Sequence, residues 1–232
     1  MAQRKPFGFR KPLFRPQQLL LLAYLLAAAL WLAQALVGSA VMLNYKLKGE
    51  MPQRTVPAAE LTTESFAPYS SNQWWTPPDD DPNWYLSTDS DPHIYWQGQG
   101  YLETVRLDAV HRLPPEGVAL YYLLPGQTDY SEAQKVYARV TGAGQYTFDL
   151  GGRYVTGLRI DPDSAGGVPT RFTGIELNPV QPWYARLLPT GGQWLVLAFA
   201  PALAAAAAGL ACALAGKAEP EETDAAGDVK RP

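Results

Sequence analysis

Residues 101–124 read YLETVRLDAVHRLPPEGVALYYLL. Two short runs rich in Val, Leu, Tyr and Thr flank a Pro-Pro-Glu-Gly breaker at 114–117. β-branched and aromatic residues suit a pleated, half-buried surface, and Pro and Gly punctuate it. In the first run Tyr101, Glu103, Val105 and Leu107 are expected on one face, with Leu102, Thr104, Arg106 and Asp108 opposite. In the second, Val118, Leu120, Tyr122 and Leu124 share a face. The pair reads as two strands and a turn.

The same grammar extends outward. HIYWQ (93–97), QKVYARV (134–140), QYTFDL (145–150), RYVTGLRID (153–161) and TRFTGIEL (170–177) are further strand-like runs. Turn signals separate them at 98–100, Pro125-Gly126, Gly142 to Gly144, Gly151-Gly152 and Asp163 to Gly167. About seven short strands at this spacing predict a β-sandwich or jelly roll, with a barrel as second choice. Upstream, residues 44–92 carry Pro52, Pro57, Pro68, Pro77, Pro78 and Pro82 and read as an arm and loop. The sandwich is expected over 93–190, with arm residues from 69 included.

Two uncharged apolar stretches flank this region. Residues 19–43 are long enough, at about 1.5 Å per helical residue, to cross roughly 30 Å of hydrocarbon. Residues 193–215 are the second such stretch, with Trp194 placed for an interfacial belt and Pro201 inside, which membrane helices accept. Arg4, Lys5, Arg10, Lys11 and Arg15 precede the first stretch with no acid among them. The positive-inside rule then puts residues 1–18 in the cytoplasm and the middle region outside. Two crossings return the acidic tail, 216–232, to the cytoplasm, where it reads as disordered. A cleaved signal at Gly38 or Ala40 is the alternative, but the apolar run exceeds the roughly 7–15 residues of a signal core. The single cysteine, Cys212, lies in the second stretch, so no disulfide staples the middle region. That region has 11 basic and 17 acidic residues, which excludes a basic footprint for nucleic acid.

The phrase STDSDPHIYW and the later Arg-x-Asp-Pro turn, glycine loop and Ile-x-Leu strand carry a resemblance. They fall at Arg159, Asp161, Pro162, Gly166, Gly167, Ile175 and Leu177. The pattern resembles the carbohydrate-binding-module-like β-sandwich segment attached to bacterial membrane proteins of surface-glycan assembly. It covers roughly residues 87–178. The resemblance implies a jelly roll on the periplasmic side of a bacterial inner membrane. It also implies a non-catalytic accessory role beside a membrane glycosyltransferase or polymerase, because the multi-pass transferase body is missing from this sequence.

On that reading the aromatic cluster Trp74, Trp75, Trp84, Tyr85, Tyr95 and Trp96 is the expected glycan contact. A flat ring buries the C–H face of a sugar while its polar tip still hydrogen-bonds. Packing in the open end of the sandwich or on the membrane surface is the competing use of those rings. Asp79, Asp80, Asp81, Asp89 and Asp91 are five carboxylates in thirteen positions. Asp79, Asp81, Asp89 and Asp91 are the candidate ligands of a structural Ca²⁺, against service as turn caps; no other cofactor is expected. No acid pair is singled out for hydrolysis. His93 and His111 lack metal spacing. Ser65, Ser70 and Ser71 lack a nucleophile elbow. Two other functions share the topology: a chain-length regulator, whose outer domain would be long helices, and a scaffold that binds an envelope protein without sugar. Spans rich in small residues also permit a homo-oligomer.

Overall fold

The computed structural model describes residues 16–69, 75–189 and 191–215. The expectations placed on 1–15, Ser70, Ser71, Trp74 and the 216–232 tail lie outside them. The chain divides into two compact units, Val37–Pro182 and the pair Met1–Leu36 with Trp183–Pro232.

The second unit is helical. Helix α1 runs Pro16–Leu47 and α2 runs Gly191–Ala215. Both are long and apolar enough to cross a membrane, at a mean hydropathy of 2.2. Tyr24 donates to the Ala198 carbonyl at 2.6 Å and Trp31 Nε1 to that of Leu187 at 3.4 Å. Beside these contacts runs an apolar groove of about 540 Å³, lined among others by Ala27, Trp31, Gln34, Gln193, Ala200 and Pro201.

The Val37–Pro182 unit is a sandwich of two antiparallel sheets. Its strands are β1 Arg54–Pro57, β2 Thr62–Glu64, β3 Phe66–Pro68, β4 Trp84–Ser87, β5 His93–Trp96, β6 Gly100–His111, β7 Ala119–Leu123, β8 Lys135–Tyr137, β9 Arg139–Gly142, β10 Gln145–Val155, β11 Gly157–Asp161 and β12 Pro169–Leu177. One sheet has the order β3-β4-β12-β6-β10-β9, with β1 also on β12; the other is β2-β5-β11-β7-β8. The mostly β domain flanked by two candidate membrane helices is thus as the sequence predicts. The arm is more ordered than its prolines imply, since β1 to β4 pair into the two sheets.

Three local expectations are corrected. QKVYARV is two strands in different sheets, because the chain crosses over at Ala138, whose N–H bonds the Val118 carbonyl. Gly151-Gly152 is a bulge within β10 rather than a hairpin turn: the register shifts between Asp149 and Arg153, and both glycines have positive φ, 67° and 73°. In β6 the alternation breaks, because Leu102, Val105 and Leu107 all enter the core, the first two an odd number of positions apart. Tyr101 instead stacks on Tyr45, ring centres 4.5 Å apart.

Alternation builds the core in β5, β7 and β11, while a further bulge, between Phe172 and Gly174, brings both Phe172 and Ile175 of β12 inward. Leu120 and Tyr122 of β7, Leu158 and Ile160 of β11, Ile94 and Trp96 of β5, and Phe148, Phe172 and Ile175 of the other sheet meet between the layers. Asn178, buried with φ 48°, closes the end of β12. Its amide donates to the carbonyls of Pro52 and Tyr101, and its oxygen accepts the Glu103 N–H.

Candidate functional site

The residues left facing away from the core differ sharply between the two sheets. On the larger sheet they are ion-paired: Arg106 bridges Asp108 at 3.5 Å and Glu176 at 2.6 Å. Thr141 and Thr147 share a hydrogen bond. The same sheet also holds the register partners Tyr101 and Tyr154 against Tyr45, and leaves Val140 exposed. On the five-stranded sheet the outward positions are tyrosines interleaved with charge.

Register places these side chains in rows. Thr62, Tyr95, Arg159, Tyr121 and Lys135 are successive partners across β2, β5, β11, β7 and β8. The next row contains Glu64, His93 and, across β11, β7 and β8, Asp161, Ala119 and Tyr137. Same-side neighbours on adjacent strands sit about 5 Å apart, close enough to touch. Five strands at about 4.8 Å give a platform of roughly 19 Å across.

The platform is tied together. The Arg159 guanidinium lies 4.2 Å from the Tyr121 ring centre and 5.7 Å from that of Tyr130, and it bonds Asp161 at 3.0 Å. Lys135 lies 5.1 Å from the ring centres of both Tyr121 and Tyr137 and pairs with Glu132 at 3.3 Å. Tyr121 donates to Glu132 and Tyr95 to Glu64, each at 2.8 Å. Burial, then the bond to Glu64, pushes the Tyr95 hydroxyl up to about 12. Burial raises the Tyr130 hydroxyl too. The Tyr121 hydroxyl, ahead of Lys135, holds Glu132 below the usual carboxylate range. The raised phenols stay neutral and Glu132 stays ionised at neutral pH, on a surface of ring edges and hydrogen-bonding oxygens. Tyr137 is 65% exposed, while Tyr95 and Tyr130 are half-buried.

The expected aromatic cluster is divided by this geometry. Trp84 (2% exposed) and Trp96 (6% exposed) lie inside and present no face to a ligand, which corrects the sugar role expected of them. In HIYW, period two sends Ile94 and Trp96 to the core and His93 and Tyr95 to the platform. Tyr85 stacks on Phe172 at 4.7 Å. Trp75 packs at the loop end between Tyr69, at 5.8 Å, and Trp84, at 5.0 Å, with Arg112 5.7 Å from its ring centre. Trp74 is outside the described residues. Of the named rings among the described residues, only Tyr95 stands on the platform.

The four calcium candidates are brought together in pairs, not as one shell. Asp79 accepts from Trp84 Nε1 at 2.8 Å and, with Asp81, pairs with Arg171. Trp84 is the first cause holding the Asp79 carboxyl low. Asp89 accepts from Ser65, which lowers it in the same way, and from the Asp91 N–H. Among the described residues, the group with three donors close together is Asp91, His93 and Asp161. Its imidazole already bonds Asp161 through Nδ1 at 2.9 Å, and Ca²⁺ prefers an all-oxygen shell. The site residues present do not fit calcium. Asp163 serves the turn after β11, accepting from the N–H of Ser164 and Glu116.

No family model and no curated protein matches the chain. Solved structures do. The chain is similar to a low-affinity xylan-binding module from Roseburia intestinalis, at 12% identity and a TM-score of 0.35, covering 54% of this chain and 94% of that one. It is similar to a CBM32 module produced by Clostridium perfringens, at 11% identity and a TM-score of 0.34, covering 54% and 100%. It is similar also to a fucose-binding module of Streptococcus pneumoniae, at 13% identity and a TM-score of 0.33, with the same coverage. Here the fold rests on the strand pairing of the chain itself.

Proposed function

We propose that this protein is a non-catalytic, two-pass inner-membrane accessory subunit whose periplasmic sandwich contacts a glycan through the tyrosine face of its five-stranded sheet. The observation that supports this reading is the row Tyr95-Arg159-Tyr121-Lys135 crossing four strands, with Tyr130 and Tyr137 beside it. Tyr137 is 65% exposed and Tyr95 and Tyr130 are half-buried, and ring surface left in water costs free energy that a bound sugar ring recovers; Tyr121, 5% exposed, lies beneath Arg159 and Lys135 and supports them. The charges between them are hydrogen-bonding groups spaced along an extended surface, as a polyhydroxyl chain requires.

The membrane part of the proposal rests on two apolar helices flanking the domain and on the five basic residues before the first. On this reading the partner is a membrane glycosyltransferase or polymerase in cell-envelope polysaccharide synthesis. The chain-length regulator reading is disfavoured because the outer unit is built of strands. The protein-binding scaffold is the surviving rival.

A glycan array probed with the full chain in nanodiscs separates the two. Binding to at least one glycan class, lost in Tyr95→Ala/Tyr137→Ala, supports the platform. An empty array favours the scaffold.

A further inference from the structure

The charges on the platform are unequal in number and in exposure. Four carboxylates reach it, from Glu64, Asp91, Glu132 and Asp161, against two fixed cations, Arg159 and Lys135. The cations are the covered members. The Arg159 side chain is 21% exposed and bound to Asp161, and that of Lys135 is 20% exposed and bound to Glu132. Three of the four carboxylates stand out: Glu132 is 76% exposed, Asp91 is 74% exposed, and Glu64 is exposed too, while Asp161, at 16%, is spent on Arg159 and His93. His93, wedged between Asp91 and Asp161, is 9% exposed and offers a ligand little.

A ligand lying on this face therefore meets acceptor oxygens and excess negative charge. An ionised carboxylate offers about four lone-pair sites. Glu64 spends one on Tyr95, and Glu132 is met by Tyr121 and Lys135. The remaining sites ask for donors. An acidic sugar would bring further acceptors and like charge, and both paired cations would have to leave their carboxylates to receive it. A hydroxyl can serve either sign and gains nothing from the excess. An ammonium brings three donors and the complementary charge.

Resting on the glycan reading of this face, we propose that its ligand is an amino-sugar chain carrying free ammonium groups, and that acidic glycans are excluded. Glu64 on β2 and Glu132 beside β8 mark opposite edges of the sheet, so a short oligosaccharide laid across the strands reaches both.

The test uses the full chain in nanodiscs, titrated calorimetrically with a glucosamine oligomer, its N-acetylated counterpart and an oligogalacturonate. The free-amine oligomer is expected to bind roughly tenfold tighter than the acetylated one, from two partly exposed ion pairs. The oligogalacturonate is expected not to bind. Glu64→Gln/Glu132→Gln should erase the tenfold preference for the free-amine oligomer. Equal affinity for the two amino-sugar oligomers, or tightest binding of the oligogalacturonate, overturns this inference and leaves the glycan platform standing. No binding of any of the three, with an empty array, overturns both.

Discussion

The Arg159 guanidinium lies 4.2 Å from the ring centre of Tyr121 while bonding Asp161 on its own strand. That contact fixes the centre of the platform, because Arg159 and Tyr121 are register partners on β11 and β7. Lysine cannot reproduce a planar cation that stacks and bonds at once. Arg159→Lys is expected to lower stability by about 1 kcal/mol and to weaken glycan binding. Thermal melting followed by circular dichroism, with titration of an array-positive glycan, measures the two together.

Tyr137 is the cleanest probe of the surface, since 65% of it is exposed and its removal opens no cavity. Tyr137→Ala is expected to leave the melting temperature unchanged and to weaken glycan binding by about 1 kcal/mol, roughly fivefold in Kd. Calorimetry on the two proteins checks it.

Tyr95 gives a pH signature. Its hydroxyl is pushed up to about 12 in the folded state, by burial and then by Glu64, against an ordinary value of 10.0. Below pH 10 both folded and unfolded chains hold that proton, and the contribution is fully present. As pH rises from 10 towards 12 the unfolded chain gives up the proton and the folded one keeps it, so stability falls. Denaturant titrations across that range should show a steeper loss in wild type than in Tyr95→Phe.

Asn178 tests how the sandwich is closed. Asn178→Ala removes the hydrogen bonds to the Glu103 N–H and to the carbonyls of Pro52 and Tyr101, and it puts alanine at φ 48°. A loss of about 3 kcal/mol is expected. Asn178→Asp keeps the tolerance for this backbone but turns an acceptor onto the Pro52 and Tyr101 carbonyls in a buried site, so it should lose at least as much. Urea unfolding of both variants ranks them.

Trp84 separates a core role from a ligand role. Trp84→Ala is expected to cost about 3–5 kcal/mol. Trp84→Phe keeps most of the packing, gives up the Asp79 bond, and should leave glycan affinity as in wild type. Reduced affinity in a folded Trp84→Phe protein would return that ring to the site.

Much of the sandwich is legible in the sequence because its strands obey period two. The seven runs fall on strands, though RYVTGLRID holds the end of β10 and all of β11 in different sheets, and the inward set of 118–124 is the observed one. The crossover at Ala138 and the break within β6 are not legible, since both depend on which sheet a strand joins. The platform was half legible. Alternation in HIYW, LRID and KVY shows that Tyr95, Arg159 and Lys135 face one way on their strands. That they form one row is a property of strand order, which no local pattern carries. Tryptophan density pointed to the loop end instead, where Trp84 serves packing and Asp79 and Asp81 serve Arg171.

Hydroxyl-radical footprinting of the full chain, with and without an array-positive glycan, asks directly which face is covered. The account predicts protection of Tyr95, Tyr130 and Tyr137 on the five-stranded sheet, with Tyr69 and Trp75 unchanged. Protection at Tyr69 and Trp75 with the three platform tyrosines still reactive would contradict it.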